Sequence, residues 1–351
     1  MSMKSITHRT DKTAYHVDSG SELPSLAMEA AQEMGRKGAG GFTVIAGMAD
    51  RELAHIRFGP IEPDTQYPIA SASKWLTAAT ALRVIEEHQC SLDAPISTFL
   101  PSMSGAAAEL TLRQLLSQTS GLAGSNGERY DLAQDHRMTL LQSAEEVTAR
   151  PLISEPGEVF AYGGPGFQVV GAIVEALTSK KWAAVFDEMI ARPLGMTRTY
   201  WTHLKLDTTK ELPPDETLNP VLQGGAVSTA SDCARFLRML AQGGVFERSR
   251  LLSQESIDLM LRDQTPHAYM TATDESVLPD AHYSLGSWCE TWDSDGVCNR
   301  NSSVGLFGVY PWVEKNTRRY GLIFVCQRED AFRLWPEMEI IRDSLVTGWP
   351  G

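Results

Sequence analysis

Residues 70–88 read ASASKWLTAATALRVIEEH, an apolar helix entered through the chain's only Ser-x-x-Lys spacing, Ser71 and Lys74. Trp75, Leu76, Ala79, Leu82 and Ile85 fall near helical spacing, while Ala78 and Ala81 let neighbours approach closely. A helix apolar on nearly all sides belongs inside a core. Its first turn has two readings. In one, Ser71 caps the helix and Lys74 runs its stem along an apolar surface. In the other, residues three apart share a helix face, so hydroxyl and amine meet. The first turn also carries unpaired N–H groups and a partial positive charge. A lysine buried there loses its proton more easily than in water and can act as a base near neutral pH.

At 351 residues the chain can bury a sizeable core, as one large domain or two closely packed ones. An apolar content of 42% with 21% charged residues describes a globular protein. The net charge is −13, with 44 acidic against 31 basic residues and no basic run, which excludes nucleic acid and anionic membranes as expected partners. No stretch approaches 18 consecutive apolar residues. The segment MSMKSITHRTDKTAYHVDSG lacks the apolar centre of a secretory signal, so the expected location is cytoplasmic. Five cysteines show no CxxC spacing. Cys289 and Cys298 flank ETWDSDGV and could face each other across a hairpin; in a reducing compartment they are expected to be thiols. The eight histidines lack ligand spacing, so neither a metal nor a cofactor is expected.

The segment GGFTVIAGMADRELAHIRFG (40–59) reads as a hairpin. AHYSLGSWCETW, SSVGLFGVYPWV and RRYGLIFVCQ are β-rich runs near the other end, followed by the helical WPEMEIIRDSLV. Helical patterns fill the middle, over 71–88, 109–117, 166–178, 181–191, 231–243 and 253–262. The expected fold is therefore α+β. An antiparallel sheet is built from both chain ends and flanked by helices, with a large, mainly helical insertion.

Two further stretches bear on chemistry. In PGEVFAYGGPGFQVVGAIVEAL (156–177), Tyr162 precedes a glycine cluster whose tight turn can present the phenol into a cleft, or simply pack it at a loop. In NSSVGLFGVYPWVE (301–314), Gly305 and Gly308 interrupt a β-rich run, as at a bulge or where a ligand comes close to the backbone. There is no GxSxG elbow, no Walker A sequence and no GxGxxG following a strand.

Taken in order, these pieces resemble the serine β-lactamase and penicillin-binding-protein superfamily. The resemblance is to its class C β-lactamase-like branch, nearest the family VIII carboxylesterases. YPIASASKWLTAATALRVIEE looks like the nucleophile helix, LTLRQLLSQTSGL (110–122) its downstream marker, and PGEVFAYGGPGFQVVGAIVEALTSKKW the tyrosine motif. RPLGMTRTYW (192–201), GGAVSTASDCARFLRMLAQGG (224–244) and RLLSQESIDLM (250–260) complete the series.

The resemblance implies a discontinuous sheet domain, 1–86 with 265–351, and a mainly helical inserted domain, 87–264, with the active site in the cleft between them. It makes Ser71 the acylated nucleophile, with Lys74 and Tyr162 sharing the proton work as a coupled pair. Backbone N–H groups of Ser71 and Leu306 would hold the oxyanion. Two departures bear on substrate. Gly164 stands where relatives carry the asparagine of Tyr-x-Asn, and Ser303-Val304-Gly305 replaces Lys-Thr-Gly. With Gly164, Ser303 and Gly305 as the substrate-binding positions and no cation among them, a neutral small-molecule acyl substrate fits better than an anionic β-lactam. The expected activity is hydrolysis of neutral carboxylic esters through an acyl-enzyme. A β-lactamase, D-amino-acid amidase or peptidase, or acyltransferase is the alternative within enzymes. A non-catalytic ligand-binding relative is the alternative outside them. Segments around GSNGERYDLAQDHRMTLL (124–141) would line the acyl or alcohol pocket.

Overall fold

The computed structural model describes residues 6–8, 14–122, 124, 127–202, 217–270, 278, 280–327 and 331–348. Its central feature is a nine-stranded antiparallel sheet. From edge to edge the strands are Ile6–His8, Tyr15–Gly20, Arg51–Phe58, Phe42–Met48, Arg319–Val325, Val309–Glu314, Cys298–Ser302, Trp288–Trp292 and His282–Tyr283. The two chain ends meet at its centre, where Arg319–Val325 pairs along its whole length with Phe42–Met48. The fold is thus α+β, as expected from the sequence.

Period-two alternation explains why the central strands are buried on both faces. Phe42, Val44, Ala46, Ile323 and Val325 pack on one side with the helices Ser25–Arg36 and Trp335–Thr347. Ile45, Tyr320, Leu322 and Phe324 point to the other side, into a larger core shared with the helices of the middle of the chain. There the helix Ala230–Ala241 lies across the central strands, and its Phe236 meets Trp75 of the helix Ser73–Glu87 edge-on at 6.1 Å. Trp75, Ala78, Ala79, Ala81, Leu82 and Val84 are all at most 1% exposed, so the patterning of 70–88 does place this helix in the core.

The helix Ser25–Arg36 lies outside the expected set. Its buried stripe of Ala27, Ala30, Ala31 and Met34 is built mostly from small residues, which give weak periodic contrast. The segment 124–141 contributes the helix Glu128–Ala133 and the start of Leu140–Thr148. Among the described residues, no helix is long and apolar enough to cross a membrane.

One sequence expectation is overturned. Cys289 and Cys298 are joined as a disulfide, with Cα atoms 5.8 Å apart. Register shifts between Cys289 and Trp292 let the hairpin bring together two residues that are not direct cross-strand partners. A Cα separation of this size lies inside the range that a disulfide spans. Behind the hairpin, Tyr310 donates to Glu290 at 3.0 Å and accepts from Arg342 at 2.7 Å, tying the strand Trp288–Trp292 to the C-terminal helix.

Burial pushes the thiols of Cys233 and Cys326 up to about 12, so both stay protonated near neutral pH. Thiol titration of the unfolded, unreduced protein should find Cys90, Cys233 and Cys326 only. In the native protein at pH 8, Cys233 and Cys326 should resist alkylation. Five titratable thiols before reduction would contradict the bridge.

Candidate active site

The turn that carries Ser71 is fixed from three sides. Ala70–Ala72 forms a 3-10 turn ahead of the helix Ser73–Glu87. Ala70 adopts a left-handed φ of 47°, a conformation that a non-glycine residue holds only when its surroundings impose it. The Ile69 N–H donates to the Ala226 carbonyl at 3.0 Å, and the Ala226 N–H donates to Ser73 Oγ at 3.0 Å. Ser303 Oγ donates to the Ser71 carbonyl at 3.1 Å.

Ser71 does not cap the helix, contrary to the simplest reading of its position. The N-cap residue is Ala72, with no side-chain cap. Ser71 lies one residue too early, inside the 3-10 turn, where its Oγ accepts from Lys74 Nζ at 3.0 Å. Lys74 is 2% exposed and donates a second hydrogen bond, also at 3.0 Å, to the Gln223 carbonyl. An amine that has lost nearly all its water is aimed by such bonds.

The segment holding the Gln223 carbonyl is itself braced. Gln168, on the helix Pro165–Thr178, donates to Asn219 Oδ1 at 2.6 Å and to the Pro220 carbonyl at 3.0 Å, and accepts from the Leu222 N–H at 2.9 Å. Thr77, one turn beyond Lys74, donates to the Leu222 carbonyl at 2.8 Å.

Tyr162 lies on the other side of the amine, with Lys74 Nζ 4.5 Å from its ring centroid. Trp288 stacks on that ring at 5.1 Å and 19°, and Tyr283 meets it edge-on at 6.0 Å. Gln118 anchors the backbone on both sides of Tyr162. Its carbonyl accepts from the Ala161 N–H at 3.0 Å and its side-chain oxygen accepts from the Gly163 N–H. Like Ala70, Gln118 is a non-glycine residue with left-handed φ, 59°. Burial, with Tyr162 nearby, raises the Tyr283 phenol well above its ordinary value, so that ring stays neutral.

The remaining expected positions are placed as follows. Gly305 abuts the turn that carries Ser71 so closely that a Cβ there would lie 2.2 Å from the Ile69 carbonyl oxygen. Its N–H donates to Val309, the Gly308 N–H returns to Gly305, and half-buried Leu306 lies in that turn. Ser303 is 3% exposed, with its hydroxyl on the backbone of Ser71 and Gly286. That hydroxyl is thus engaged with the backbone of the Ser71 turn. At Gly164 the space a side chain would take is occupied by Gln223. Gln118, Gln223 and Trp288 escaped the sequence reading: Gln118 lies within 110–122 and Trp288 within a β-rich run, but neither pattern singles them out, and Gln223 falls just outside 224–244. Among the described residues, no group of three or more His, Cys, Asp or Glu side chains could hold a metal ion.

The beta-lactamase family model matches residues 27–340. Esterase EstB of Burkholderia gladioli is 30% identical over 215 residues, 53% of each chain. The chain spans about half the length of that curated relative and of others it matches. A solved Bacteroides dorei structure, provisionally described as a beta-lactamase, superposes with a TM-score of 0.75 at 28% identity, covering 90% of this chain and 98% of that one. EstCE1, described as a hydrolase with promiscuous acyltransferase activity, superposes at 0.71 with 19% identity, covering 91% and 97%. The latter is a likeness of fold.

If the Ser303 hydroxyl holds the Ser71 turn, Ser303→Ala should slow modification of Ser71 by a fluorophosphonate about tenfold, the cost of one buried hydrogen bond. Time-resolved intact mass with peptide mapping reads this directly. An unchanged rate would show that the turn does not depend on that bond.

Proposed function

Because this chain belongs to the beta-lactamase family, we propose that it is a serine hydrolase that cleaves neutral carboxylic esters through an acyl-enzyme on Ser71. The observation that carries the reading is the 3.0 Å hydrogen bond from a nearly waterless Lys74 to the Ser71 hydroxyl, with Tyr162 against the same amine. A serine hydroxyl is a weak nucleophile until an adjacent group takes its proton.

In the proposed mechanism Ser71 Oγ attacks the ester carbonyl carbon as its proton passes to the Lys74–Tyr162 pair. The backbone N–H groups of Ser71 and Leu306 receive the developing oxyanion. Loss of one such donor typically costs roughly 10²- to 10³-fold in rate. The tetrahedral intermediate then expels the alcohol, which takes up the proton from the pair. A water next attacks the acyl carbon, its proton passes to the same pair, and Ser71 leaves with that proton restored. Acid and base roles belong to Lys74 and Tyr162 together.

A neutral substrate is favoured by the motif Ser303-Val304-Gly305. Its first residue is Ser303, whose hydroxyl is engaged with the nucleophile's backbone, so the motif offers no cation to a substrate carboxylate. The esterase relative from Burkholderia gladioli adds support for ester chemistry.

The test is a panel of nitrophenyl esters, a chromogenic cephalosporin and a D-amino-acid amide, run with Ser71→Ala alongside. Turnover of the esters should dominate, and Ser71→Ala should abolish both turnover and covalent labelling. Preferential turnover of the cephalosporin would overturn the ester assignment, and labelling retained elsewhere in Ser71→Ala would overturn the nucleophile.

A further inference from the structure

The segment that carries Tyr162 fixes its backbone but not its ring. The Gln118 carbonyl and side-chain oxygen hold the N–H groups of Ala161 and Gly163, which sets where the chain passes. Those bonds do not restrain rotation about the tyrosine's side-chain torsions. The next two residues are Gly163 and Gly164, with no side chains to confine the ring, and Tyr162 is itself half-buried. Restraint on the phenol has to come from elsewhere in the fold.

Phe160, Tyr283 and Trp288 surround it, in an apolar cluster separate from the two main cores. Phe160 is tilted at 6.4 Å and Tyr283 stands nearly perpendicular at 6.0 Å, while Trp288 is the closest and flattest of the three, at 5.1 Å and 19°. Lys74 Nζ lies over the same tyrosine ring, 4.5 Å from its centroid. The indole is the rigid partner in this stack. It is 8% exposed and meets Tyr283 at 5.0 Å and Phe160 at 5.6 Å. Its backbone is paired with Tyr283 on one side and Ser302 on the other, and the bridge to Cys298 starts at the next residue, Cys289. A half-buried ring on a glycine-flanked loop thus leans on a buried ring from a cross-linked strand.

We infer that Trp288 is a positioning residue for acyl transfer, whose indole holds the Tyr162 ring in the orientation from which the phenol shares the serine proton with Lys74. This rests on the ester-hydrolase reading above and adds to it a residue that acts through another side chain. Proton transfer needs heavy atoms within hydrogen-bond reach, and a misplacement of about 1 Å can cost on the order of 10²-fold in rate. The restraint comes from two flat faces in contact, which an aliphatic side chain at 288 does not reproduce.

The experiment is a double-mutant cycle on the rate of Ser71 acylation by p-nitrophenyl acetate, followed by acid-quenched intact mass. Trp288→Leu should slow acylation about tenfold or more when Tyr162 is present, and by less than about threefold in Tyr162→Phe, which has no hydroxyl to place. Trp288→Phe, which keeps a flat ring, should stay within about threefold of the wild type. A merely structural role, or direct contact of the indole with substrate, would slow both backgrounds alike, and that result overturns the inference. If Trp288→Leu does not fold, Trp288→Met, whose flexible chain refills the space, takes its place in the cycle. If Tyr162→Phe reacts too slowly to measure, Trp288→Phe decides, and a loss as large as that of Trp288→Leu overturns the inference. Each of these results leaves the hydrolase reading intact, whereas a wild type that the ester does not acylate overturns both.

Discussion

The site depends on where one buried amine points. Lys74 Nζ lies between the Ser71 hydroxyl and the Gln223 carbonyl, at 3.0 Å from each. With 2% of the residue exposed, water cannot substitute for either contact, so both partners must be held still by the surrounding fold. The helix Ser73–Glu87 fixes the lysine's own origin by burying almost every side chain around it. Gln168 and Thr77 fix the Gln223 side by bonding the Pro220 carbonyl and both backbone groups of Leu222. A small displacement of either element would break the contact between the amine and the hydroxyl, so on the proposed mechanism packing far from Ser71 governs its reactivity.

The sheet contributes from the opposite direction. Its strand Cys298–Ser302 leads into Ser303 and Gly305, the first bonded to the Ser71 carbonyl and the second pressed against Ile69. The neighbouring strand supplies Trp288, which stacks on Tyr162, and the Cys289–Cys298 bridge ties the two strands together one residue later. Left-handed backbone at Ala70 and Gln118 falls beside Ser71 and beneath the tyrosine loop. Conformations of this kind cost on the order of 1–3 kcal/mol each, held in place by the surrounding structure. Their position here is consistent with a preorganised site.

The sequence made legible what lies in local patterns. Spacing joined Ser71 to Lys74, and apolar periodicity buried their helix. β-rich runs at both ends foretold an antiparallel sheet built from both termini, which the structure closes by pairing Arg319–Val325 with Phe42–Met48. Long-range complementarity was hidden. Nothing near Gln118 shows that it will anchor the loop of a tyrosine 44 positions later, and nothing near Gly164 shows that Gln223 will fill its missing volume. The disulfide depended on an irregular register that alternation cannot reveal. The Ser71 cap failed because the chain enters its helix through a 3-10 turn, which moves the true cap one residue on, to Ala72.

The most direct measurement is acid-quenched intact mass after mixing with a slowly deacylating nitrophenyl ester, comparing the wild type with Lys74→Met. Methionine keeps an unbranched side chain in the buried channel while removing the amine. The wild type should accumulate one acyl group on the peptide bearing Ser71, and Lys74→Met, folded, should remain unacylated on the same timescale. Acylation of Lys74→Met at the wild-type rate would contradict the claim that this amine activates the serine.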